Sequence, residues 1–256
     1  MGTNTGEIRS VEDFLNEELE VAPAQFDFRL YRGQAVDWPL LPKIARGAEE
    51  LGGSKSELLK IESRILTSFR RRAVQLMDTL PESTLGWMTV GQHHGLATRL
   101  LDWTENPLAS LWFAVRNANP GEDAVVWRIA MTRYEEDPPI VQDRTEDLSA
   151  FDPLNVNGTW IYKPSHLANR AAAQESWFTL HAYGDRGFVP LKEGRFAGSE
   201  PAVSKFTIPG KVVRHMKWKL SQIGVHDMAL FGDLDALSHH LNWQYKETNT
   251  WEDFLS

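Results

Sequence analysis

The chain has 256 residues, of which 42% are hydrophobic and 24% charged, with no cysteine and a formal net charge of -8. That length and apolar content suit one large globular domain, with disorder expected only at the ends. Lack of cysteine excludes disulfides, thiolate catalysis and cysteine-based zinc sites, and the acidic balance argues against a general nucleic-acid coat. No stretch approaches the roughly 20 apolar residues that span a bilayer. The opening MGTNTGEIRSVEDF also lacks a basic region followed by an apolar core, so a cytoplasmic protein outside the membrane is expected. The densest basic run, Arg64 with Arg70, Arg71 and Arg72, falls on a helix-like segment and reads as a solvated face.

Ser10 to Glu20 predicts a first helix, with Ser10 at the N-cap and Val11, Phe14, Leu15 and Leu19 as its apolar stripe. Phe26 to Tyr31 alternates like a strand, and Arg32-Gly33-Gln34 follows at its end. Two prolines interrupt VDWPLLPKIAR, whose Trp38, Leu40 and Leu41 are expected to plug a local pocket. From a cap at Ser54, apolar residues from Leu58 to Met77 recur at helical spacing, predicting a main helix to about Thr79.

A second helix, Ser83 to His93, should stop at Gly95, the residue type that most easily takes the left-handed C-terminal conformation. Thr98 to Leu101 reads as a short strand, and Asp102 or Thr104 as the cap of a helix from Pro107 to Asn117. Ala124 to Met131 reads as a buried strand, and Pro138-Pro139 opens an irregular stretch. Thr159 to Tyr162 and Trp177 to His181 read as strands, with one helical turn between them that sets Arg170 and Gln174 on one face. A strand near Val203 to Ile208, a helix from Gly210 to about Gln222 and a last helix from near Asp233 complete the chain. No repeat or Gly/Ser-rich linker marks a second domain.

Arg32 is the first candidate for chemistry, because a guanidinium recognises carboxylate or phosphate through a rigid fork. Gly33 beside it lets a ligand approach the backbone; the alternative is a structural ion pair next to a turn glycine. QHHGLATRLLDWTENP concentrates Gln92, His93, His94, Arg99, Asp102, Trp103 and Thr104 just before a helix N-terminus. Such a terminus favours an anion such as pyrophosphate. His93 and His94 are candidate acids, bases or metal ligands, one of them expected to bond backbone at the helix end. Adjacent histidines diverge on a helix and no HExxH spacing exists, so metal catalysis is not expected. GxSxG, P-loop and GxGxxG patterns are absent as well. Most of the 10 tryptophans should be core, with Trp103 and Phe178 the rings expected to face a ligand.

Four segments resemble the FRG domain family, named for a Phe-Arg-Gly signature: YRGQ at Tyr31 with WPLLP after it, QHHGLATRLLDWTENPLASLWFA at Gln92, RAAAQESWFTLH at Arg170, and ALFGDLDAL at Ala229. Tyr31 stands for the signature Phe, Ala97 for a Pro, and Ala171 and Ser176 for an Ile and a Gly. The first helix is expected to pack on the body over residues 1–25, and the resemblance implies a single FRG domain over 26–256. A second resemblance, to the ADP-ribosyltransferase fold, implies an α+β domain with a central, mostly antiparallel, split β-sheet flanked by helices. Arg32 matches its first-strand arginine, Asp102-Trp103-Thr104 stands at its Ser-Thr-Ser place, and Gln174-Glu175 lies near its Gln-x-Glu without that spacing.

That second resemblance implies NAD as substrate and no metal. Arg32 would grip the pyrophosphate, Thr104 and the helix start would position the ribose, and Trp103 or Phe178 would stack nicotinamide. Asp102 or Glu175 would stabilise the oxocarbenium-like charge, and His93 or His94 would deprotonate an acceptor. Tyr31, Gly33, Gln34, Gln92, Arg99, Arg170 and Gln174 complete the expected ligand-binding set. Three classes stay open: an NAD-consuming transferase or glycohydrolase acting as a toxin-like effector in bacterial conflict or phage defence; a noncatalytic nucleotide- or nucleic-acid-binding module; and a metal-independent nuclease or hydrolase using His93 or His94. The expected partners are a nucleotide-type small molecule and a macromolecular acceptor or inhibitory protein, with no membrane and the oligomeric state open.

Overall fold

Ala124–Met131 is buried at every position, so this strand has to be covered on both faces. In the computed structural model it is the third strand of an eight-stranded sheet. The structure describes residues 5–20, 28–46, 55–119, 121–131, 140–142, 151–164, 176–184, 187–188 and 202–248. The strands in chain order are β1 (Thr5–Glu7), β2 (Phe28–Gln34), β3 (Leu100–Thr104), β4 (Ala124–Met131), β5 (Ile140–Gln142), β6 (Trp160–Lys163), β7 (Ser176–Leu180), β8 (Tyr183–Gly184), β9 (Gly187–Phe188) and β10 (Ala202–Ile208). The sheet order is β1-β10-β4-β2-β3-β7-β6-β5, with β8 and β9 paired separately. Only the edge pairs β1–β10 and β5–β6 are parallel.

The helices among the described residues are α1 (Val11–Glu20), α2 (Lys55–Ala73), α3 (Thr84–His93), α4 (Pro107–Val115), α5 (Gly210–Gln222), α6 (Asp227–Phe231) and α7 (Leu234–Thr248). None is long and apolar enough to cross a membrane. Strands and helices alternate irregularly around one mostly antiparallel sheet, which makes this a single α+β domain.

Side chains alternate across a strand, so β2 sends Tyr31 and Gly33 to one face and Leu30 and Arg32 to the other. On the first face Tyr31 packs with Phe14 of α1, Leu111 and Trp112 of α4 and Met216 of α5. Farther along that face, Leu100, Phe178 and Leu180 pack against Leu66 of α2 and Trp87 of α3. The reverse face buries Leu30, Trp103, Trp127 and Trp177 beneath Leu40. Each such aliphatic or aromatic side chain contributes about 1.5–3 kcal/mol by leaving water.

The buried residues beneath these helices form two separate clusters on that face, and between β2 and β3 the ladder opens. Strand β2 pairs with β4 along its whole length, Phe28 to Gln34, but with β3 only through Tyr31 and Thr104. The sheet is split at β2–β3.

Several elements differ from their sequence readings. Arg32-Gly33-Gln34 lies within β2 rather than after it, because its main chain pairs with Val125 to Trp127. The strand predicted over Thr98 to Leu101 is instead Leu100–Thr104, since Asp102, Trp103 and Thr104 pair with Phe178, Trp177 and Ser176. The next helix is capped by Asn106, whose side chain accepts the Ala109 N–H at 3.0 Å, and it ends at Val115 rather than Asn117. Thr104, two residues upstream of the cap, accepts the Asn106 N–H. Helix α2 stops at Ala73 and continues as one 3-10 turn, Val74–Leu76, short of Thr79. Leu76 is 85% exposed there, and Met77 after it is already extended, at φ -130° and ψ 135°. Leu40 fills its pocket, whereas Trp38 is 58% exposed. Ser54, Pro138-Pro139 and the turn at Asn169 to Gln174 lie outside the described residues.

Candidate functional site

The opening between β2 and β3 is the floor of a cleft of about 490 Å³, within the range of small-molecule sites. One wall is the end of α3, which brings Gln92, His93 and His94. The other is the last turn of α4 with α6, which bring Phe113, Arg116, Asn117 and Phe231. These elements end where they do for local reasons: Ser83 caps α3 at one end and Gly95, at φ +82°, turns the chain at the other.

Arg32 spans the split. Its Nη1 donates to the Asp102 carbonyl at 2.8 Å and stands 3.7 Å from the Asp102 carboxylate. The side chain is only 16% exposed, and burial pulls its pKa down to about 10, against the pull of Asp102 and with a smaller push from Arg46. It therefore remains a cation at neutral pH. Its Nε is buried and has no hydrogen-bond partner.

The Asp102 carboxylate is 57% exposed toward the cleft and is oriented from one side. Gln92 Nε2 donates to its Oδ2 at 3.1 Å, and Thr98 Oγ1 donates to Gln92 Oε1 at 2.7 Å. This chain fixes which way the Gln92 amide points, because its oxygen is occupied by a hydroxyl donor. His93 and His94 lie exposed at the rim, their rings edge to face at 5.1 Å. Among the described residues no group of three His, Asp or Glu is placed to hold a metal.

The remaining sequence candidates are dispersed. Phe178 borders the cleft, opposite Asp102 in the β3–β7 register, with its ring packed near Tyr162. Trp103 borders it from beneath: the ring belongs to the reverse-face core and its indole N–H donates to Thr179 Oγ1 at 3.0 Å. Tyr31 lines the cleft, but its hydroxyl donates to Glu18 of α1, and burial raises its pKa. Glu18 also holds Arg29 and Arg128, so this cluster fastens α1 to the sheet.

Gly33 lines the cleft and also seats α4. A Cβ there would stand 2.0 Å from the Ser110 carbonyl oxygen and 2.4 Å from the Ala114 nitrogen, so α4 lies directly on it. Gln34 does not line the cleft, and its Oε1 is buried without a partner. Arg99 is fully buried away from the cleft, where its Nε and Nη2 donate to Glu62 of α2. Tyr183 donates to the same carboxylate and lies under the guanidinium at 4.5 Å. Arg170, Gln174 and Glu175 lie outside the described residues.

Phe113, Arg116, Asn117, Ser176 and Phe231 line the cleft without having been singled out from the sequence. The first three follow one another at helical spacing on the end of α4, a readable signal once β2 is known to lie beneath that helix. Arg116 Nη1 lies 3.3 Å from Asp227 Oδ1, and its guanidinium covers the Phe231 ring at 5.1 Å. The cleft thus holds two guanidiniums, one exposed carboxylate, two imidazoles at the rim and several ring surfaces. Chemically, guanidiniums can engage an anion and ring faces can pack a flat group.

Fold and site together define an α+β domain with a ligand-sized polar cleft at the split of its sheet. Residues 28–123, which span β2 to the approach to β4, match the FRG domain family model, and the chain carries an FRG domain. Arg32, Gln92 to Thr104 and Arg116 all fall inside the match. No curated protein and no solved structure matches the chain.

Proposed function

We propose that the cleft binds an NAD-type dinucleotide and that the protein breaks its nicotinamide–ribose bond, passing ADP-ribose to water or to a macromolecular acceptor. The observation that carries this reading is the Arg32–Asp102 junction: a buried cation and an exposed carboxylate, fixed together at the open split of the sheet. The cation is suited to the pyrophosphate. The carboxylate, held by Gln92 on one oxygen, is suited to the positive charge that grows on the ribose as the bond breaks.

In that step the C–N bond pair leaves with nicotinamide as a neutral product, and the ribose carbon becomes oxocarbenium-like. The acceptor oxygen or nitrogen then attacks that carbon and gives up its proton to His93 or His94 at the rim. Phe178 and Phe231 offer ring surfaces for the base or the nicotinamide. No metal takes part. Such an enzyme depletes NAD, which fits a toxin-like effector in bacterial conflict or phage defence, acting in the cytoplasm.

The test is to incubate the purified full chain with NAD and measure nicotinamide release. Arg32→Ala should lower the rate by about 10²–10³-fold, the range for loss of one preorganised electrostatic group. Stabilisation by ADP-ribose with no nicotinamide released would convert the reading to a binding module. Neither turnover nor stabilisation would end it.

A further inference from the structure

The segment DMALF, Asp227–Phe231, forms α6, five residues long and closed by Gly232 at φ +65°. Too short to be stable alone, this helix directs two side chains at one arginine. Asp227 Oδ1 engages Arg116 Nη1 while also accepting the Trp112 indole N–H at 2.8 Å, and the Phe231 ring lies beneath the guanidinium. Arg116 itself follows α4, the helix seated on Gly33. Its side chain is only 20% exposed, yet it borders the cleft.

A guanidinium binds an anion best through the edge made by Nε and Nη2, where two N–H bonds run parallel. Arg99 uses that edge on Glu62, as a structural arginine should. Arg32 and Arg116 do the opposite. Each commits Nη1 to the protein, and each has a buried Nε with no partner. Among the described residues their Nη2 atoms make no hydrogen bond either. An unmet buried donor is destabilising; Arg128 Nε is another, inside the Glu18 cluster, but Arg32 and Arg116 border the cleft, where a ligand can supply the acceptor.

We propose that Arg116 is a second anion anchor, that the cleft is built for a nucleoside diphosphate group with one phosphate on each of Arg32 and Arg116, and that α6 positions Arg116 for it. This rests on reading the cleft as a nucleotide site. The second arginine makes the site selective for two phosphates over one.

Calorimetric titration of the full chain with ADP and with AMP tests it. The wild type should bind ADP roughly ten-fold or more tighter than AMP, the effect of one added charge-assisted contact of about 1.4 kcal/mol. Arg116→Ala should bring the two ligands to within about two-fold of each other, because only ADP reaches the second anchor. Arg116→Lys keeps a charge beside Asp227 but lacks the fork, and should still reduce the preference at least about three-fold. If Arg116→Ala does not fold, judged by circular dichroism, the lysine variant decides. A merely structural role would weaken ADP and AMP alike and overturn the proposal. So would variants that keep the wild-type preference while Arg32→Ala loses ADP, an outcome that leaves the nucleotide reading standing. Failure of the wild type to bind ADP, AMP or ADP-ribose would remove that reading and this inference with it.

Discussion

Arg32 and Asp102 stand on neighbouring strands that share a single residue pair, Tyr31 with Thr104, and are joined past that point by a side chain. The Arg32 guanidinium donates at 2.8 Å to the Asp102 carbonyl, a position that a neighbouring strand's main-chain N–H fills elsewhere in a ladder. The carboxylate of Asp102 is thereby left on the cleft side, touched by Gln92 and approached by Arg32. Structure and proposed chemistry are coupled at this one junction.

Asp102→Asn separates the two. The substitution keeps the carbonyl that Arg32 holds and an oxygen for Gln92, while removing the charge. Nicotinamide release should fall about 10²-fold or more with KM for NAD changed less than about three-fold, since the lost interaction grows only as the bond breaks. Steady-state kinetics on a variant that melts near the wild-type temperature checks this. A kcat close to wild type would remove Asp102 from the reaction.

Gly33→Ala tests the reason for a glycine beside the arginine. The added methyl would fall on backbone atoms of Ser110 and Ala114, which cannot swing away as a side chain end would. The expected cost is about 3 kcal/mol or more from overpacking, read as a lowered midpoint in urea. A variant as stable as wild type would mean that α4 does not rest on β2.

The buried Arg99–Glu62 pair predicts a different pattern. Glu62→Gln leaves Arg99 uncompensated in the interior and should cost about 3–5 kcal/mol, with Tyr183 losing the carboxylate that, with burial, raises its pKa. Replacing both partners, Glu62→Leu with Arg99→Met, should recover most of that loss. Urea melts of the two variants compare directly, and a double variant no better than the single one contradicts the assignment of a buried pair.

How much of this was readable in the sequence depended on whether the deciding partner was local. α1 and α5 show apolar spacing, Ser10 caps α1, and α3 lies between the Ser83 cap and Gly95, so their bounds follow from residues within a few positions. Strand β4, apolar on both faces apart from Arg128, reads as a buried strand. By contrast, Arg32-Gly33-Gln34 looks like a strand end because it is polar, and only the seat it gives α4 explains the glycine. Arg99 carries the same chemical promise as Arg32 in a sequence, and what separates them is Glu62, 37 residues away on the buried face of α2. Strand β1 and helix α6 are too short to show a period, and each is held by distant elements: β10 for the first, Arg116 for the second. The polar segments that form the cleft could be named from sequence, but not which of their side chains point into it.

The last prediction concerns pH and the helix that carries Phe231 and Asp227. His226 is the N-cap of α6, and its Nδ1 accepts the Ala229 N–H at 3.3 Å, which requires that nitrogen to be unprotonated. Its ring stacks on His240 of α7 at 4.1 Å, with His240 Nδ1 buried and unpartnered. Burial, then the neighbouring His240, lower the His226 pKa below its ordinary 6.5, with Asp227 pulling the other way. A base whose folded pKa is depressed binds fewer protons when folded than when unfolded. Its stabilising contribution is therefore complete above about pH 6.5 and is lost as pH falls from there through the folded value. Losing one cap costs about 1 kcal/mol, which for a domain of this size lowers Tm by roughly 2–4 °C. Melting curves between pH 8 and 5 should show that decline, and His226→Asn, which keeps a cap acceptor that does not titrate, should flatten it. An unchanged slope in the asparagine variant would assign the pH response to other groups.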